Sequence, residues 1–175
     1  MKISAILIED VVKKFEDVVA VNGVSLKVAK GELFGLLGPN GAGKTTTVNI
    51  LCGLIKPTSG QVMVGGHDVC KENAKVKELI GVCPQETAVY PYLTGVENVD
   101  LFGNLYALDR RTLRSRRDML LEKMGLTQDA KRRVEEYSGG MKRRLSLTMA
   151  LIHDPQIVFL DEPTVGMDPQ SRRVV

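Results

Sequence analysis

The chain has 175 residues, with 24 Lys and Arg against 21 Asp and Glu and a formal charge of +3; that length suits one domain with a sizeable core. Hydrophobic residues at 43% and charged residues at 26% exclude wholesale disorder, and no apolar run nears the ~20 residues of a membrane span. The small charge does not argue for nucleic acid, and Cys52, Cys70 and Cys83, odd in number and without CxxC spacing, argue against a disulfide framework or a zinc site and suit a reducing cytosol.

Met1–Ile8 resembles a signal h-region, but Glu9 and Asp10 cut it short and no small-residue cleavage site follows. The N-terminal third reads as β. Val24, Leu26 and Val28 alternate with Ser25 and Lys27, as in a half-buried strand. After the Lys30-Gly31 turn, Glu32-Leu33-Phe34-Gly35-Leu36-Leu37 predicts a strand covered on both faces. Gly38 to Gly43 form a glycine-rich loop, and Thr46 to Cys52 predicts a helix stopped by Gly53. Gln61 to Val64 with Gly65-Gly66 predicts a strand and hairpin turn, and a further strand ends at Val82, just before Pro84. From Thr94 to about Met124 the pattern is helical, opened by a Thr94/Glu97 capping box and stopped near Gly125. Met141, Leu145, Thr148, Ala150, Leu151 and Ile152 give a helix after Ser138. Ile157 to Leu160 predicts a second fully buried strand, and Asp168-Pro169 an N-cap and first helical position. The cysteines read as small core residues. Arg110, Arg111, Arg114, Arg116 and Arg117 read as a solvated helix face, with an acidic docking partner as the alternative.

Chemistry concentrates in three places. Gly38-Pro39-Asn40-Gly41-Ala42-Gly43-Lys44-Thr45 matches G-x-x-x-x-G-K-[ST], the Walker A pattern. Glycines let successive N–H groups turn inward as an anion nest, and the following helix offers its positive end to phosphate. Lys44 brings a mobile charge to the β/γ-phosphates, and Thr45 a hydroxyl to Mg²⁺. The bland alternative is a glycine-rich turn with a solvated lysine. Ile157-Val158-Phe159-Leu160 ends in Asp161-Glu162. Asp161 suits Mg²⁺, and Glu162 suits orienting or deprotonating a water. Tyr137-Ser138-Gly139-Gly140-Met141 opens a helix with a serine cap and bare N–H groups; taken alone it is a plain capped helix.

Taken in order, Gly38–Thr46, Gln85, Ser138-Gly139-Gly140, Leu160-Asp161-Glu162-Pro163 and Gly166-Met167-Asp168 resemble the ATP-binding cassette (ABC) ATPases over the whole chain. The resemblance implies an α/β P-loop NTPase fold: a single domain over 1–175, with an N-terminal antiparallel β portion, a core of 1–85 and 137–175, and a helical insertion at 86–136. It implies ATP and Mg²⁺ as ligands, with Gly38, Pro39, Asn40, Gly41, Ala42, Gly43, Lys44, Thr45 and Thr46 around the phosphates. Gln85 would touch Mg²⁺ or water, together with Thr45 and Asp161 as metal ligands, and Glu162 would be the base. Phe15 sits where the family carries an adenine-stacking aromatic, its other reading being a core phenylalanine. Ser138, Gly139 and Gly140 would meet the γ-phosphate of ATP on a partner subunit, with Asp168 in the D-loop.

The signature departs from Leu-Ser-Gly-Gly-Gln. The Met141-Lys142-Arg143-Arg144 variant resembles ATPase subunits of ABC-2-type exporters, such as the daunorubicin-resistance type. The resemblance then implies an ATPase that powers an exporter with separate membrane subunits docked on the insertion. It would form a homodimer or pair with another ATPase subunit on ATP binding, lie on the cytoplasmic face of the membrane and need no nucleic acid. The family's switch histidine lies on a strand beyond Val175, so the chain reads as C-terminally truncated and its turnover as slow; His67 and His153 read as surface or helix-end residues. The rival readings are a soluble ABC ATPase acting on ribosomes or DNA, and a nucleotide-binding fragment without turnover. The insertion is short and lacks sustained heptads, unlike the coiled coils of DNA-repair members.

Overall fold

The computed structural model describes residues 4–161. Glu162, Asp168 and the expected helix at Asp168-Pro169 lie outside the described residues. The chain divides into two compact units, Met1–Ile80 and Gly81–Val175.

In the first unit, β1 (Ser4–Phe15) and β2 (Val18–Ala29) form a long antiparallel hairpin. Ser4 to Ile8, the described part of the apolar opening run, therefore lie in a strand. β3 (Ser59–Val64) pairs with the other edge of β1, and β4 (His67–Asp68) closes the order β2-β1-β3-β4. The expected Gly65-Gly66 turn joins β3 to β4, with φ of 59° and 84°; two positive φ values suit a tight hairpin turn. The β1–β2 ladder shifts register between Ile8 and Val11, where Asp10 has φ 47°. Ser25 secures that bulge: its Oγ accepts from the Asp10 N–H at 2.8 Å and donates to Asp10 Oδ1 at 2.9 Å. Ile6, Ile8, Val62 and Val64 are buried in this sheet. α1 (Lys44–Leu51) buries Ile50 and Leu51 and ends at Cys52 and Gly53, the latter with φ 66°. A short α2 (Asn73–Leu79), unforeseen in the sequence, is anchored by the fully buried Val76.

One expectation fails here. Glu32 to Leu37 is not a strand, and its side chains are exposed: Leu33 wholly, Leu37 at 92%. A strand covered on both faces needs hydrogen-bonded neighbours and layers above and below. Among the described residues no strand pairs with this segment.

The second unit opens within β5 (Ile80–Cys83), at Gly81, and β5 pairs with β6 (Ile157–Leu160) in a two-stranded sheet. β6 is alternately half-buried and exposed rather than fully buried, again a correction. The helical stretch divides into α3 (Gly95–Leu105) and α4 (Arg110–Lys123). The break falls at Ala107, with φ 53°, and Asp109 restarts the chain by accepting from the Arg111 and Thr112 N–H groups, each at 3.0 Å. The capping box at Thr94 and Glu97 is present as read, and Gly125, with φ 62°, follows α4. α5 (Gly139–Leu151) is the axis of the unit: every residue from Leu145 to Ala150 is buried. Leu126, Leu145 and Ile152 are fully enclosed, each such side chain contributing about 1.5–3 kcal/mol. Cys52 and Cys83 are core residues as expected, but Cys70 is exposed.

Candidate functional site

The glycine-rich loop runs from unpaired chain into α1. Gly41 and Gly43 adopt φ of 83° and 81°, a left-handed geometry that glycine alone enters without strain. Gly43 also has no room for a side chain, since a Cβ there would collide with the Ala20 carbonyl oxygen of β2. Gly43 is the N-cap of α1 and has no side chain to cap it, and the first turn holds no acidic residue. The N–H groups that open α1 therefore remain available to an anion. Lys44 curls back over its own loop, its Nζ donating to the Gly38 and Pro39 carbonyls at 2.7 and 2.9 Å. Thr47 closes the first turn through Oγ1 to the Gly43 carbonyl at 2.9 Å. Thr45 is exposed and Thr46 half-buried, and Pro39, Asn40 and Ala42 are exposed. Phe15, at the end of β1, is 44% exposed, with Lys13 Nζ 4.7 Å from its ring centroid; a half-exposed ring is not a core phenylalanine.

The second unit places Gln85 and Asp161 at the ends of its two strands. The Asp161 N–H donates to the Cys83 carbonyl at 3.0 Å, holding β6 beside the turn that leads to Gln85. Ser138 caps α5 as expected, its Oγ accepting from the Met141 N–H at 3.2 Å. Gly139 is exposed and Gly140 buried. Arg143, five residues along the same helix, brings these parts together. It is buried, and its Nη1 donates to the Pro84 and Gln85 carbonyls, the latter at 3.1 Å, while Nη2 donates to the Asp161 carbonyl. Sequence reading placed Arg143 only in a motif variant; its signal was a charge inside a helix whose other faces are apolar.

Asn98 was also missed. It is wholly buried in α3, accepts from the Tyr90 N–H at 2.8 Å, and donates to the Tyr90 and Thr94 carbonyls at 3.0 and 2.9 Å. It thereby fixes the chain a few residues past Gln85. Its only trace in sequence was an amide among the apolar residues Val96, Val99 and Phe102.

The arginine run divides in two. Arg117 Nη1 donates to both carboxylate oxygens of Asp100 of α3, at 2.9 and 3.0 Å, and Arg116 pairs with Asp154 at 3.2 Å. Arg110, Arg111 and Arg114 are exposed and have no carboxylate partner among the described residues. Arg110 and Arg114 line a cleft of about 720 Å³ with Asp100, Asn104, Leu113 and Arg117. The solvated-face reading therefore holds for part of the run only.

Residues 21–165 match the profile of the ABC transporter family. The chain is 48% identical over 164 residues to the linearmycin resistance ATP-binding protein of Bacillus subtilis, covering 94% of this chain and 53% of the relative. It is 45% identical over 172 residues to a daunorubicin resistance ATP-binding protein of Streptomyces coeruleorubidus, covering 98% and 54%. The chain thus spans about half the length of the curated relatives it matches. Among solved structures, it is similar to a dimeric ATP-binding cassette in a post-hydrolysis state bound to ADP and Pi, with a TM-score of 0.85, 27% identity, and coverage of 97% of this chain and 78% of that one. That likeness shows the α/β P-loop NTPase fold anticipated from the motifs, and with the family match over most of its length the chain belongs to the ABC transporter family.

Proposed function

We propose that this chain is the ATP-binding and ATP-hydrolysing part of an exporter whose membrane subunits are separate chains. The observation that carries the reading is the glycine loop ending in the uncapped N-terminus of α1, with the Lys44 ammonium held against the Gly38 and Pro39 carbonyls. Exchanging those two carbonyls for phosphate oxygens costs the lysine little reach and gains charge-assisted bonds. In this reading Gly38 to Thr46 bind the phosphates, and Phe15 offers its exposed ring to the adenine. The donors Thr45, Gln85 and Asp161 are a hydroxyl, an amide and a carboxylate; an all-oxygen set fits Mg²⁺ rather than a softer metal. The ion would neutralise charge on the β- and γ-phosphate oxygens.

Glu162 would orient or deprotonate the attacking water, and Ser138, Gly139, Gly140 and Asp168 would complete the site of a paired ATPase subunit. The Ser138 cap takes the Met141 N–H and leaves those of Gly139 and Gly140 at the helix start, which with Gly139 exposed supports contact with phosphate from outside the chain. The separate membrane subunits would dock on the insertion. Its α3–α4 cleft, with Arg110 and Arg114 on one wall, favours a segment bearing carboxylates. No described helix is long and apolar enough to cross a membrane. In this reading, association with the cytoplasmic face would run through those subunits. The relatives' names, as linearmycin and daunorubicin resistance ATP-binding proteins, support export.

Calorimetry with MgATP tests the binding step. Lys44→Ala should weaken affinity at least about tenfold, because a bond to a charged group is worth roughly 1.5–3 kcal/mol. Phosphate release tests the chemistry: Glu162→Gln should keep MgATP affinity and lower turnover by roughly 10²–10⁴, the scale of a general base. Unchanged affinity in Lys44→Ala would remove the loop as the site.

A further inference from the structure

We infer that Arg143 is a positioning residue for hydrolysis: it fixes Gln85 and Asp161 relative to the signature helix that carries Ser138, Gly139 and Gly140. The inference rests on the reading that Gln85 and Asp161 serve bound MgATP.

The geometry is specific to a guanidinium. Arg143 is 3% exposed and sits in the second turn of α5. One of its terminal nitrogens takes the Pro84 and Gln85 carbonyls and the other takes the Asp161 carbonyl. Pro84 and Gln85 follow directly from β5, and Asp161 follows directly from β6. A planar fork with donors on two edges can hold two chain segments at once, whereas an ammonium is a single point. These three contacts are to main chain, so what they locate is the backbone that carries Gln85 and Asp161.

Burying a guanidinium is costly, and an apolar residue of similar size often stabilises a core just as well. Position 143 instead keeps the charge and directs it to the main chain of two residues whose side chains belong to the site. Ser138 and Arg143 lie on one helix, so a displacement of the Ser138 end carries the fork with it. The link runs from a group expected to sense a second subunit's nucleotide to the groups expected to hold Mg²⁺ and water. The Asp161 N–H bond to the Cys83 carbonyl, at 3.0 Å, lies inside this clasp and reports on it.

The experiment compares the parent chain with Arg143→Lys and Arg143→Met in MgATP affinity, steady-state turnover, and hydrogen exchange at the Asp161 amide with and without MgATP. Both variants should bind MgATP within about twofold of the parent, because the phosphate loop is untouched, while kcat falls roughly ten- to a hundredfold, the scale of a small misplacement of catalytic groups. Exchange at Asp161 should quicken at least about tenfold in both, and Lys should recover part of what Met loses. If Arg143→Met fails to fold, Arg143→Lys carries the comparison. Parent-like kcat in Arg143→Lys, or parent-like exchange at Asp161, would overturn the inference. So would a loss of kcat matched by equal losses of affinity and folded fraction, which marks a merely structural role. A parent chain that binds MgATP without turning it over would refute the hydrolytic reading alone; the exchange comparison would still decide whether Arg143 holds Asp161.

Discussion

Gly41 and Gly43 offer a controlled comparison within one loop. Their φ values are 83° and 81°, so an alanine at either site incurs the same left-handed penalty of about 1–2 kcal/mol. Their surroundings differ. A Cβ at Gly41 meets nothing within 4 Å, whereas one at Gly43 collides with the Ala20 carbonyl and lies 3.5 Å from Val21 Cγ2. The obstacle at Gly43 is main chain in β2, tied to β1 through the Lys13↔Val21 and Lys14↔Val19 pairs. It cannot swing aside as a flexible side chain would. Relieving the collision requires α1 to retreat or β2 to bend, adding roughly 1–3 kcal/mol of overpacking strain. Gly41→Ala should therefore lose about 1–2 kcal/mol and Gly43→Ala about 2–5 kcal/mol. The chain contains no tryptophan, so urea unfolding is best followed by far-ultraviolet circular dichroism. Equal losses in the two variants would refute the assignment of Ala20 as the obstacle. A Gly43→Ala chain as stable as the parent would refute the loop geometry itself.

Three further outcomes are expected. Bonds from Lys75 and His67 hold the Glu72 carboxyl down at about 2 against an ordinary 4.5. Because the folded value is the lower one, this stabilisation is complete above about pH 4.5 and fades as pH falls toward about 2; Glu72→Gln should narrow the gap in thermal midpoint between about pH 6 and about pH 3, and an unchanged gap would discount the pair. Burial pushes the Cys52 thiol up to about 12, Cys83 is 1% exposed, and Cys70 is exposed. Iodoacetamide should therefore label native protein at Cys70, with Cys52 and Cys83 following only in denaturant, and mass spectrometry showing Cys52 modified as fast as Cys70 would contradict the burial. Asn98→Leu strips the Tyr90 N–H of its partner and takes one of two donors from the Tyr90 and Thr94 carbonyls, and should lower unfolding free energy by about 1–3 kcal/mol; urea midpoints matching the parent would show that water replaces the amide.

What was legible in the sequence was local. The capping box at Thr94 and Glu97, the Ser138 cap, the Gly65-Gly66 turn and the Gly53 and Gly125 stops each depend on a few adjacent residues, and each stands where it was read. The glycine loop is legible for the same reason: the phosphate chemistry proposed for it needs particular residue types at fixed spacing, so the pattern alone marks the candidate. Glu32 to Leu37 shows where this ends. Its composition suits a doubly covered strand, but being a strand requires partners, and composition does not supply them. β6 was over-read similarly, since four apolar residues in a row cannot tell an enclosed strand from one exposed on alternate residues.

Arg143 and Asn98 were missed for a deeper reason. Each earns its place through main-chain groups distant in sequence: Asp161 lies 18 residues from Arg143, Pro84 59 residues away, and Tyr90 8 residues from Asn98. A carbonyl carries no residue identity, so no motif marks the recipient of such a bond. The detectable trace lies on the donor side, as a polar group inside an apolar helical face that must be satisfied if buried. Applied to α3 and α5, that criterion flags Asn98, Arg143 and Arg144, and burial then singles out Asn98 and Arg143, together with Ser146 and Thr148. Those two fill smaller needs: Thr148 Oγ1 donates to the Arg144 carbonyl at 2.9 Å, within its own helix, and Ser146 Oγ lies 3.6 Å from Cys83 Sγ. Hydroxyls can satisfy themselves locally, whereas a guanidinium or an amide reaches across elements. Buried long polar side chains therefore mark where this unit joins its parts, and both of them secure the chain around Gln85.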